Sequence, residues 1–523
     1  MVPKRSFNAE GPCIPDEHYM IDPLRGLDRN INSLIEGKKY FVIHAARQSG
    51  KTTLLQALAR RINSEGNFRA LYCSLENLEG IEDETKGIPG IVDIIGAALV
   101  RYDMPYARAF ADELSFVNPH NALQTALEAY CRSLDKPFVL LLDEVDCLSG
   151  TTLIGFLRQL RNGYVSRGDA PFVHSLALVG MRNIRDYRDE YRQPSRTPGS
   201  SSPFNIVAET MTLKNFTKDE IIALYTQHTL DTGQVFEDEA VKLVWEQTQG
   251  QPWLVNAAAK IITQKITIDA PQTPVTADMV SQAVQTLILR RDAHIDSIMA
   301  RLREERIRRI IEPVISGGEV AISRNSDDYG YVKDMGLIRD DRGRVEPANP
   351  IYGEVIVRTL SRDTQEEIGL SGDPYPIPRY LKEGALDMDA LLLDFQAFWR
   401  ENEAIWRKKY DYQEAAPQLI LHAFLQRVVN GGGRIIREMA AGTGRTDLCV
   451  VYKERKYPIE LKIKRDGSTY AKGVAQTAGY MDVLGCDNGW LVLFDQTEEV
   501  LWDDKLYVKI EDAGGKTVTV YGC

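Results

Sequence analysis

Three charged residues in the stretch GRTDLCVVYKERKYPIELKIK (444–464) could together hold a metal ion. They are Asp447, Glu460 and Lys462, and they belong to two strand-like runs, LCVVY and YPIELKIK, that are joined by the polar turn KERK. Side chains alternate between the two faces of a strand, so Glu460 and Lys462 must point the same way. The pattern predicts a hairpin with charged side chains at one end.

The register of this hairpin decides which residues meet. If the hairpin turns between Glu454 and Arg455, Asp447 lies directly opposite Lys462 and on the same face as Glu460. Opposite residues in a sheet are ~5 Å apart and diagonal ones ~7–8 Å, which lets two carboxylates share one divalent cation. We therefore expect Asp447 and Glu460 to act together.

A simpler interpretation of the hairpin is a cross-strand ion pair between Asp447 and Lys462 on a solvated sheet face. Such exposed pairs are common and stabilise a fold by little.

Pro458 is expected near the start of its strand, where a missing N–H is tolerated.

A second group of residues points to phosphate binding. The run AARQSGKTT (45–53) follows a strand-like segment and precedes a helical one, the position at which backbone N–H groups can cradle phosphates. Lys51 is expected to reach the β- and γ-phosphates of ATP, and the Thr52 hydroxyl to contact Mg²⁺. Ala45 stands where the strict motif has Gly. The predicted nucleotide-binding residues are Ala46, Arg47, Gln48, Ser49, Gly50, Lys51, Thr52 and Thr53.

Two carboxylates complete this second group. The apolar run FVLLL (138–142) ends in Asp143 and Glu144, as expected of a buried central strand that delivers acidic residues to the phosphate site. Asp143 is predicted to hold Mg²⁺ through water, and Glu144 to polarise the attacking water.

The elements that must position the second group alternate between strands and helices. Strand-like runs begin near residues 40, 69, 137, 174 and 205, with helical patterns between most of them. This alternation predicts a parallel sheet with crossover helices. Helices follow from about residue 214, then a helix and a Gly-centred hairpin typical of a winged helix, and then a polar, Pro-rich linker.

The first two thirds of the chain resemble the AAA-like ATPase domain of bacterial and archaeal proteins close to the STAND and archaeal-ATPase groups. The segments that carry the resemblance are YMIDPLRGLDRNINSLIEGKKYFVIHAARQSGKTTL, LLDEVD, VGMRNIRDYR, SPFNI, TQGQPWLVNAAAK and ANPIYGEVI. The resemblance covers roughly residues 15–360 and implies a five-stranded ATPase core, a helical lid and a winged helix. It implies that Arg182 contacts the γ-phosphate and that Gly250-Gln251-Pro252 lies near the adenine. Three arginines could serve as arginine fingers, with no choice among them: Arg158, Arg161 and Arg167.

The C-terminal region resembles the PD-(D/E)XK nuclease superfamily over about residues 386–510. The resemblance rests on a helix, the Gly-Arg-x-Asp hairpin, Glu-x-Lys, and a helix bearing Gln476 and Tyr480 before a further strand. It implies that Asp447 and Glu460 bind Mg²⁺ or Mn²⁺ and that Lys462 orients or activates water. The Leu461 carbonyl and Glu414 would be further ligands, although Glu414 could equally be part of a helix surface. Gln476 would orient Lys462 or the substrate backbone, and Glu438 is a further acidic candidate.

Together these patterns predict a multidomain α/β protein. The expected parts are a P-loop AAA-like core (1–213), a helical lid (214–285), a winged helix (286–361), a linker (362–385) and a restriction-endonuclease-like α/β/α domain (386–523).

Composition narrows the class of protein. The 523 residues contain seven singly spaced cysteines, which argues against zinc and fits a reducing cytoplasm. No apolar run reaches the ~18 residues that a membrane helix needs. The formal charge of −11 weighs against a protein that coats nucleic acid but permits local contact.

The predicted function is an ATPase with a Mg²⁺-dependent nuclease domain that acts on nucleic acid, with DNA favoured over RNA. A role in host defence or in mobile-element biology, self-association and a regulatory protein partner are compatible with this organisation. One alternative is a STAND-like ATP-dependent switch whose C-terminal domain binds nucleic acid without cutting it. Another is a repair or translocation factor in which the ATPase does the main work.

Overall fold

The computed structural model describes residues 5–26, 31–110, 118–181, 206–289, 293–315, 326–341, 343–367, 380–382, 384–409, 417, 420–422, 424–425, 433–441, 444–464, 467–495, 497 and 500–523. Two compact units are formed. The first comprises residues 1–294, 323–339 and 348–351, and the second comprises residues 295–322, 340–347 and 352–523.

A five-stranded parallel sheet forms the centre of the first unit. Its order is β2-β3-β4-β1-β5, which confirms the predicted parallel sheet. The strand FVLLLD is buried at every residue, as an apolar run between two sheet neighbours must be. The strands are β1 (Tyr40–His44), β2 (Arg69–Ser74), β3 (Phe138–Asp143), β4 (Ser175–Gly180) and β5 (Val207–Thr212).

Along the chain, α1 precedes β1, and α2 to α5 lie between the strands from β1 to β4. Their apolar faces and the two faces of the sheet form two hydrophobic clusters, one containing Leu54 and Leu58 and the other Ile88 and Leu123. The helices are α1 (Ile31–Glu36), α2 (Lys51–Glu65), α3 (Glu84–Arg101), α4 (Pro119–Ser133) and α5 (Gly150–Ser166).

Four α-helices follow β5 in the region predicted to be a lid, and the third continues into a π-helical segment, Ile262–Ile266. The first begins at the predicted Thr217 cap, whose side chain accepts from the Glu220 N–H while the Glu220 carboxylate accepts from the Thr217 N–H. These helices are α6 (Lys218–Thr232), α7 (Asp238–Thr248), α8 (Pro252–Ile261) and α9 (Ala277–Leu289).

Helices and a hairpin occupy the described part of the region predicted to be a winged helix, and the last helix, of 18 residues, extends past residue 361. Strands β6 (Ile338–Asp341) and β7 (Arg344–Pro347) form a two-stranded sheet. The winged helix itself stays a prediction. The helices are α10 (Ala293–Arg301), α11 (Glu305–Ile315), α12 (Asp327–Asp334) and α13 (Pro350–Glu367).

A six-stranded mixed sheet dominates the second unit, in the order β10-β11-β12-β13-β15-β14. Strand β10 precedes the predicted hairpin, and β14 and β15 follow the predicted last strand. The sequence did not predict these three strands of the sheet. A two-stranded sheet of β8 (Leu381–Lys382) and β9 (Ala385–Leu386) comes before α14 (Met388–Lys409). The remaining elements are β10 (Gly433–Ala441), β11 (Gly444–Tyr452), β12 (Arg455–Ile463), α15 (Thr469–Leu484), β13 (Asn488–Phe494), α16 (Trp502–Lys505), β14 (Tyr507–Asp512) and β15 (Thr517–Gly522).

The predicted hairpin between β11 and β12 is present, but the register predicted for it is wrong. Tyr452 pairs with Arg455, so the turn consists of Lys453 and Glu454 alone. Both turn residues have positive φ, 46° and 69°, as a type I′ turn requires. This register slides the strands by two residues from the predicted pairing, so Asp447 lies across from Glu460 and not from Lys462. A slip of two residues preserves the faces, and the prediction that Asp447, Glu460 and Lys462 share one face is unaffected.

Pro458 is not at the start of its strand but is the fourth residue of β12, opposite Cys449. The parallel pairing of β12 with β13 begins only at Ile459. The missing N–H of Pro458 therefore falls before the β13 ladder starts and interrupts neither pairing.

The turn residues give a stability prediction. Lys and Glu are poorly suited to positive φ, whereas Asn-Gly is the preferred pair of a type I′ turn. Replacing Lys453-Glu454 with Asn-Gly should raise the free energy of unfolding by about 0.5–1 kcal/mol, measured by urea denaturation. A double Ala variant should be no more stable than the natural turn, and an Asn-Gly chain less stable than the natural one would contradict this turn geometry.

Candidate nucleotide and metal sites

The loop between β1 and α2 has the backbone of a phosphate-binding loop. Gln48 and Gly50 have φ of 58° and 94°, and α2 begins directly afterwards at Lys51. The Lys51 ammonium is buried and donates to the Ala45 and Ala46 carbonyls, at 3.0 Å each. Burial lowers the pKa of Lys51, and the charges of Glu144, Asp146 and Asp143 oppose this effect. The backbone of the loop therefore surrounds the buried Lys51 ammonium.

Ser49 shows that this loop fits a phosphate. Its hydroxyl is buried and has no hydrogen-bond partner among the described residues. A buried hydroxyl without a partner is costly unless a ligand satisfies it. Phosphate oxygens at the N-terminus of α2 would accept from Ser49 and from the backbone N–H groups of the loop.

Asp143 and Thr52 meet beside the loop. The Thr52 hydroxyl donates to Asp143 Oδ2 at 2.6 Å, and the Tyr72 hydroxyl lies 3.4 Å from the same oxygen. Burial raises the pKa of Asp143, while the Thr52 hydrogen bond and the Lys51 charge act in the opposite direction. A hydroxyl and a carboxylate in contact are the oxygen donors that Mg²⁺ accepts in nucleotide sites.

Glu144 is held in a strained conformation next to Asp143. Its φ of 53° places it in the left-handed region, which a non-Gly residue adopts at a cost of order 1 kcal/mol. Burial raises the pKa of Glu144 to about 7; the Lys51 charge opposes the rise, and the Asp146 and Asp143 charges add to it. A carboxyl with a pKa near neutrality suits a group that polarises water.

A cavity of about 310 Å³ opens beside the loop. The lid contributes one part of its wall, including Phe216, Leu224, Pro252 and Asn256. The N-terminal segment contributes another part, from residues 8–13 and 19–25 without Glu10 and Leu24, that the sequence did not identify as part of the site. This segment is fixed there: the Cys13 N–H donates to Thr53 Oγ1 at 3.0 Å, and Trp253 Nε1 donates to the Ala9 carbonyl at 2.8 Å.

Gln251 joins the loop to the lid. Its Oε1 accepts from the Leu254 N–H at 2.7 Å and so caps α8, and its Nε2 lies 3.4 Å from the Gln48 carbonyl. Gly250 before it has φ 72°, and an added Cβ would lie 1.9 Å from the Phe216 carbonyl oxygen. Of the tripeptide predicted to lie near the adenine, Pro252 lines the cavity, and only Gly fits the first position.

A segment between α12 and β6 also packs on the loop. An added Cβ at Gly336 would lie 2.5 Å from the Ala46 Cβ, and Asp334 Oδ1 lies 3.3 Å from His44 Nε2. The Arg339 guanidinium contacts the Gln249 side chain in the lid. The loop is therefore contacted from the lid and from residues 334–339, which the sequence did not predict.

The five predicted arginines differ in their surroundings, and two of them lie on α5, where Arg158 is exposed and Arg161 is half-buried. Arg47 lines the cavity, as a nucleotide-binding residue would. Arg182 lies outside the described residues. Arg167 donates to the Lys38 carbonyl at 3.0 Å and stacks on the Tyr164 ring, contacts that give it a structural role.

The C-terminal cluster brings Asp447, Glu460 and Lys462 together at the end of the β11–β12 hairpin. Asp447 Oδ2 accepts from the Leu461 N–H at 2.8 Å, and the Lys462 ammonium lies 2.6 Å from Glu460 Oε1. Glu460 is only 2% exposed, and its other oxygen, Oε2, is buried with no hydrogen-bond partner among the described residues. The ion pair in this structure joins Lys462 to Glu460, and not to Asp447 as in the simpler interpretation.

The electrostatics of the cluster favour a bound cation. Burial and the Asp447 charge raise the pKa of Glu460 to about 7, against the lowering effect of Lys462. Burial and the charges of Glu460 and Asp447 raise the pKa of Tyr480 to about 12, so the hydroxyl on α15 is close enough to feel both carboxylates. A divalent cation would satisfy Glu460 Oε2 and relieve the repulsion between the carboxylates.

The remaining predicted ligands are less well placed or not described. Gln476 is exposed on α15. Glu414 and the side chain of Glu438 lie outside the described residues. Within the part of the chain that the structure describes, no group of three or more His, Cys, Asp or Glu side chains could hold a metal. A metal at Asp447 and Glu460 would need further oxygen ligands, such as the Leu461 carbonyl or water.

Family comparisons agree with the geometry of the first unit. The AAA-like domain family matches residues 120–357, and the AAA domain family matches residues 34–187. The chain contains an AAA-like P-loop ATPase domain. An ATPase domain of this kind binds ATP, and in this chain Asp143 ends a strand of the sheet and Glu144 follows it. Residues 395–498 match a domain of unknown function, DUF8371.

Several solved structures are similar to part of the chain. The Walker-type ATPase PABY2304 of Pyrococcus abyssi is 13% identical, with 67% of this chain and 99% of that chain covered and a TM-score of 0.47. The RuvB Holliday junction branch migration motor of Thermotoga maritima is 14% identical, with coverage of 61% and 87% and a TM-score of 0.32. Orc1 of Aeropyrum pernix, solved in complex with DNA, is 12% identical, with coverage of 62% and 87% and a TM-score of 0.32.

No curated protein sequence matches the chain. Among the described helices, none is long and apolar enough to cross a membrane.

Proposed function

We propose that this chain is an ATP-hydrolysing protein whose C-terminal domain is a metal-dependent nuclease under the control of the ATPase domain. The observation that carries the nuclease part is the pairing of Asp447 with buried Glu460, whose Oε2 has no hydrogen-bond partner among the described residues. The ATPase part rests on the phosphate loop and on Asp143 and Glu144.

In the ATPase domain, Lys51 would exchange the carbonyls of Ala45 and Ala46 for phosphate oxygens. Thr52 and Asp143 would hold Mg²⁺, which when bound neutralises charge on the β- and γ-phosphates. Glu144, with its pKa raised to about 7, would accept a proton from the attacking water. The nucleotide could act as a slow switch, because the lid and residues 334–339 both contact the loop and would respond to its occupancy.

In the C-terminal domain, Asp447 and Glu460 would hold Mg²⁺ or Mn²⁺, which when bound lowers the pKa of a water and neutralises the scissile phosphate. The Lys462 ammonium, 2.6 Å from Glu460 Oε1, would orient the attacking water and stabilise charge that develops on the phosphate. Tyr480 on α15 and the exposed Gln476 would contact the substrate backbone.

The substrate we propose is nucleic acid, with DNA favoured over RNA, in a cytoplasmic setting. Self-association and a regulatory protein partner remain part of the proposal, as does a role in defence or mobile-element biology, which rests on architecture alone. The competing function is a switch that binds nucleic acid without cutting it. Retention of Asp447, Glu460 and Lys462 in one cluster favours cleavage.

The test is a cleavage assay on plasmid, linear and single-stranded DNA and on RNA, with Mg²⁺, with and without ATP. Wild type and Asp447→Ala are compared on each substrate. We expect the wild type to cut at least one of them and the variant to cut none. Equal cleavage by both proteins would overturn the nuclease proposal, and binding without cleavage by the wild type would favour the switch.

A further inference from the structure

Asn256 lines the nucleotide cavity and carries a buried hydrogen-bond acceptor that no described residue uses. The side chain is on α8, lines the cavity and is only 6% exposed. Its Nδ2 donates to the Pro252 carbonyl at 2.8 Å, and its Oδ1 is buried with no hydrogen-bond partner among the described residues. A buried amide oxygen without a partner destabilises the free protein and marks a position where a ligand can donate.

The orientation of this amide is fixed by chemistry. A backbone carbonyl can only accept, so the Asn256 atom that contacts the Pro252 oxygen must be the NH₂ group. Turning the amide over would place two acceptors together. The atom left for a ligand is therefore an acceptor, and it selects ligands that offer an N–H or O–H.

The surroundings of Asn256 fit a flat aromatic ring. Pro252 and Asn256 are one helical turn apart on the same face of α8, and Leu224 and Phe216 line the same cavity. The Trp253 indole N–H already donates to the Ala9 carbonyl. Apolar walls with few polar groups are typical of sites that bind the base of a nucleotide.

Two other buried polar atoms of the cavity are hydroxyl oxygens, and they do not select between ligands that donate and ligands that accept a hydrogen bond. Ser49 Oγ is also buried and has no partner among the described residues, whereas the Tyr19 hydroxyl interacts with the Asp231 carboxylate. Ser49 belongs to the phosphate loop. A hydroxyl can donate or accept by rotating, so Tyr19 would tolerate either kind of ligand group. Asn256 Oδ1 alone among these three atoms is restricted to accepting.

We infer that Asn256 Oδ1 accepts a hydrogen bond from the 6-amino group of adenine and so sets the base specificity of the site. This inference rests on the proposal that the loop binds ATP. A base with a carbonyl at position 6, as in inosine or guanosine nucleotides, places an oxygen acceptor against Oδ1, which can only accept. A buried mismatch of this kind is discriminated more strongly than the loss of an apolar contact.

The test measures the affinities of ATP, ITP and 2′-deoxy-ATP for the full chain by calorimetric titration. We expect wild type to bind ATP at least about tenfold more tightly than ITP, and 2′-deoxy-ATP nearly as well as ATP. Asn256→Leu, of similar volume, should bind ATP roughly tenfold more weakly with unchanged ITP affinity, which brings the ATP/ITP ratio close to one. The retained ITP binding shows that the variant is folded.

A matched control is Thr226→Val on α6, which removes a similar side-chain bond to a helix carbonyl (2.7 Å). It should bind all three nucleotides as wild type does. Equal binding of ATP and ITP by wild type overturns the inference, as does an unchanged ATP/ITP ratio in Asn256→Leu. Selective loss of 2′-deoxy-ATP binding would assign Oδ1 to the ribose and also overturn it. If none of the nucleotides binds, the ATP-binding proposal itself fails.

Discussion

Replacing Glu460 with Gln is expected to reduce metal-dependent cleavage by at least about 100-fold, because the change removes one of two carboxylate ligands and the charge that attracts the cation. Gln keeps the size and an oxygen acceptor, so the loss would reflect charge and not packing. The measurement is the initial rate of cleavage, with Mg²⁺, of whichever substrate the wild type cuts best.

Glu454→Gln provides the matched control. It makes the same chemical change at an exposed position in the turn of the same hairpin, and its cleavage rate should equal that of wild type. Wild-type rates in Glu460→Gln would rule out Glu460 as a metal ligand. A loss in both variants would indicate damage to the hairpin.

Because the pKa of Glu460 is raised, both the stability of the folded chain and its metal binding should depend on pH. Its pKa is about 7 in the folded chain against an ordinary value of 4.5, so the folded state binds the additional proton in this interval. The contribution of Glu460 to the free energy of unfolding without metal therefore falls as the pH rises from about 4.5 to 7. Above pH 7 this contribution changes little. Metal binding needs the ionised form and should strengthen over the same interval. Glu460→Gln should lose this part of the pH dependence of unfolding.

Replacing Lys51 with Ala is expected to weaken ATP binding by at least about 100-fold, because the triphosphate would lose its charge-assisted contact within a buried loop. Lys51 is 5% exposed, so no neighbouring water replaces the ammonium. Calorimetric titration with ATP and Mg²⁺ measures the effect. Glu144→Gln should differ by retaining ATP binding and losing hydrolysis by ~10²–10⁴-fold, as expected for the group that accepts a proton from water.

Lys218→Ala is the control for charge, since Lys218 is exposed at the start of α6. It should bind ATP normally. Unchanged ATP affinity in Lys51→Ala would contradict the assignment of the phosphate loop. Unchanged nucleic-acid cleavage by Lys51→Ala, with and without ATP, would separate the nuclease from the ATPase domain.

The parts of the site that could be predicted are those encoded locally. FVLLL followed by Asp143 and Glu144 must be a buried strand with acidic residues at its end, and the parallel sheet places that end beside Lys51. The face shared by Asp447, Glu460 and Lys462 also follows from local alternation. An error of two residues in the turn could not change it.

The parts that could not be predicted depend on contacts between distant residues. KERK contains no Gly or Asn to mark a two-residue turn, so Lys453 and Glu454 adopt positive φ only because the flanking strands pair. Residues 8–13 and 19–25 have no motif, and their place at the cavity depends on bonds such as Cys13 N–H to Thr53. Burial of Asn256 Oδ1 is likewise a tertiary property.

The most direct test of the central claim, that Asp447 and Glu460 form a divalent-metal site, is a titration of the full chain with Mn²⁺ at pH 8 without nucleotide. A Thr52→Ala background removes a ligand of the ATPase metal site. We expect this protein to bind one Mn²⁺ through the C-terminal domain, and the Thr52→Ala, Asp447→Asn protein to lose that binding. Equal stoichiometry and affinity in the two proteins would contradict the account.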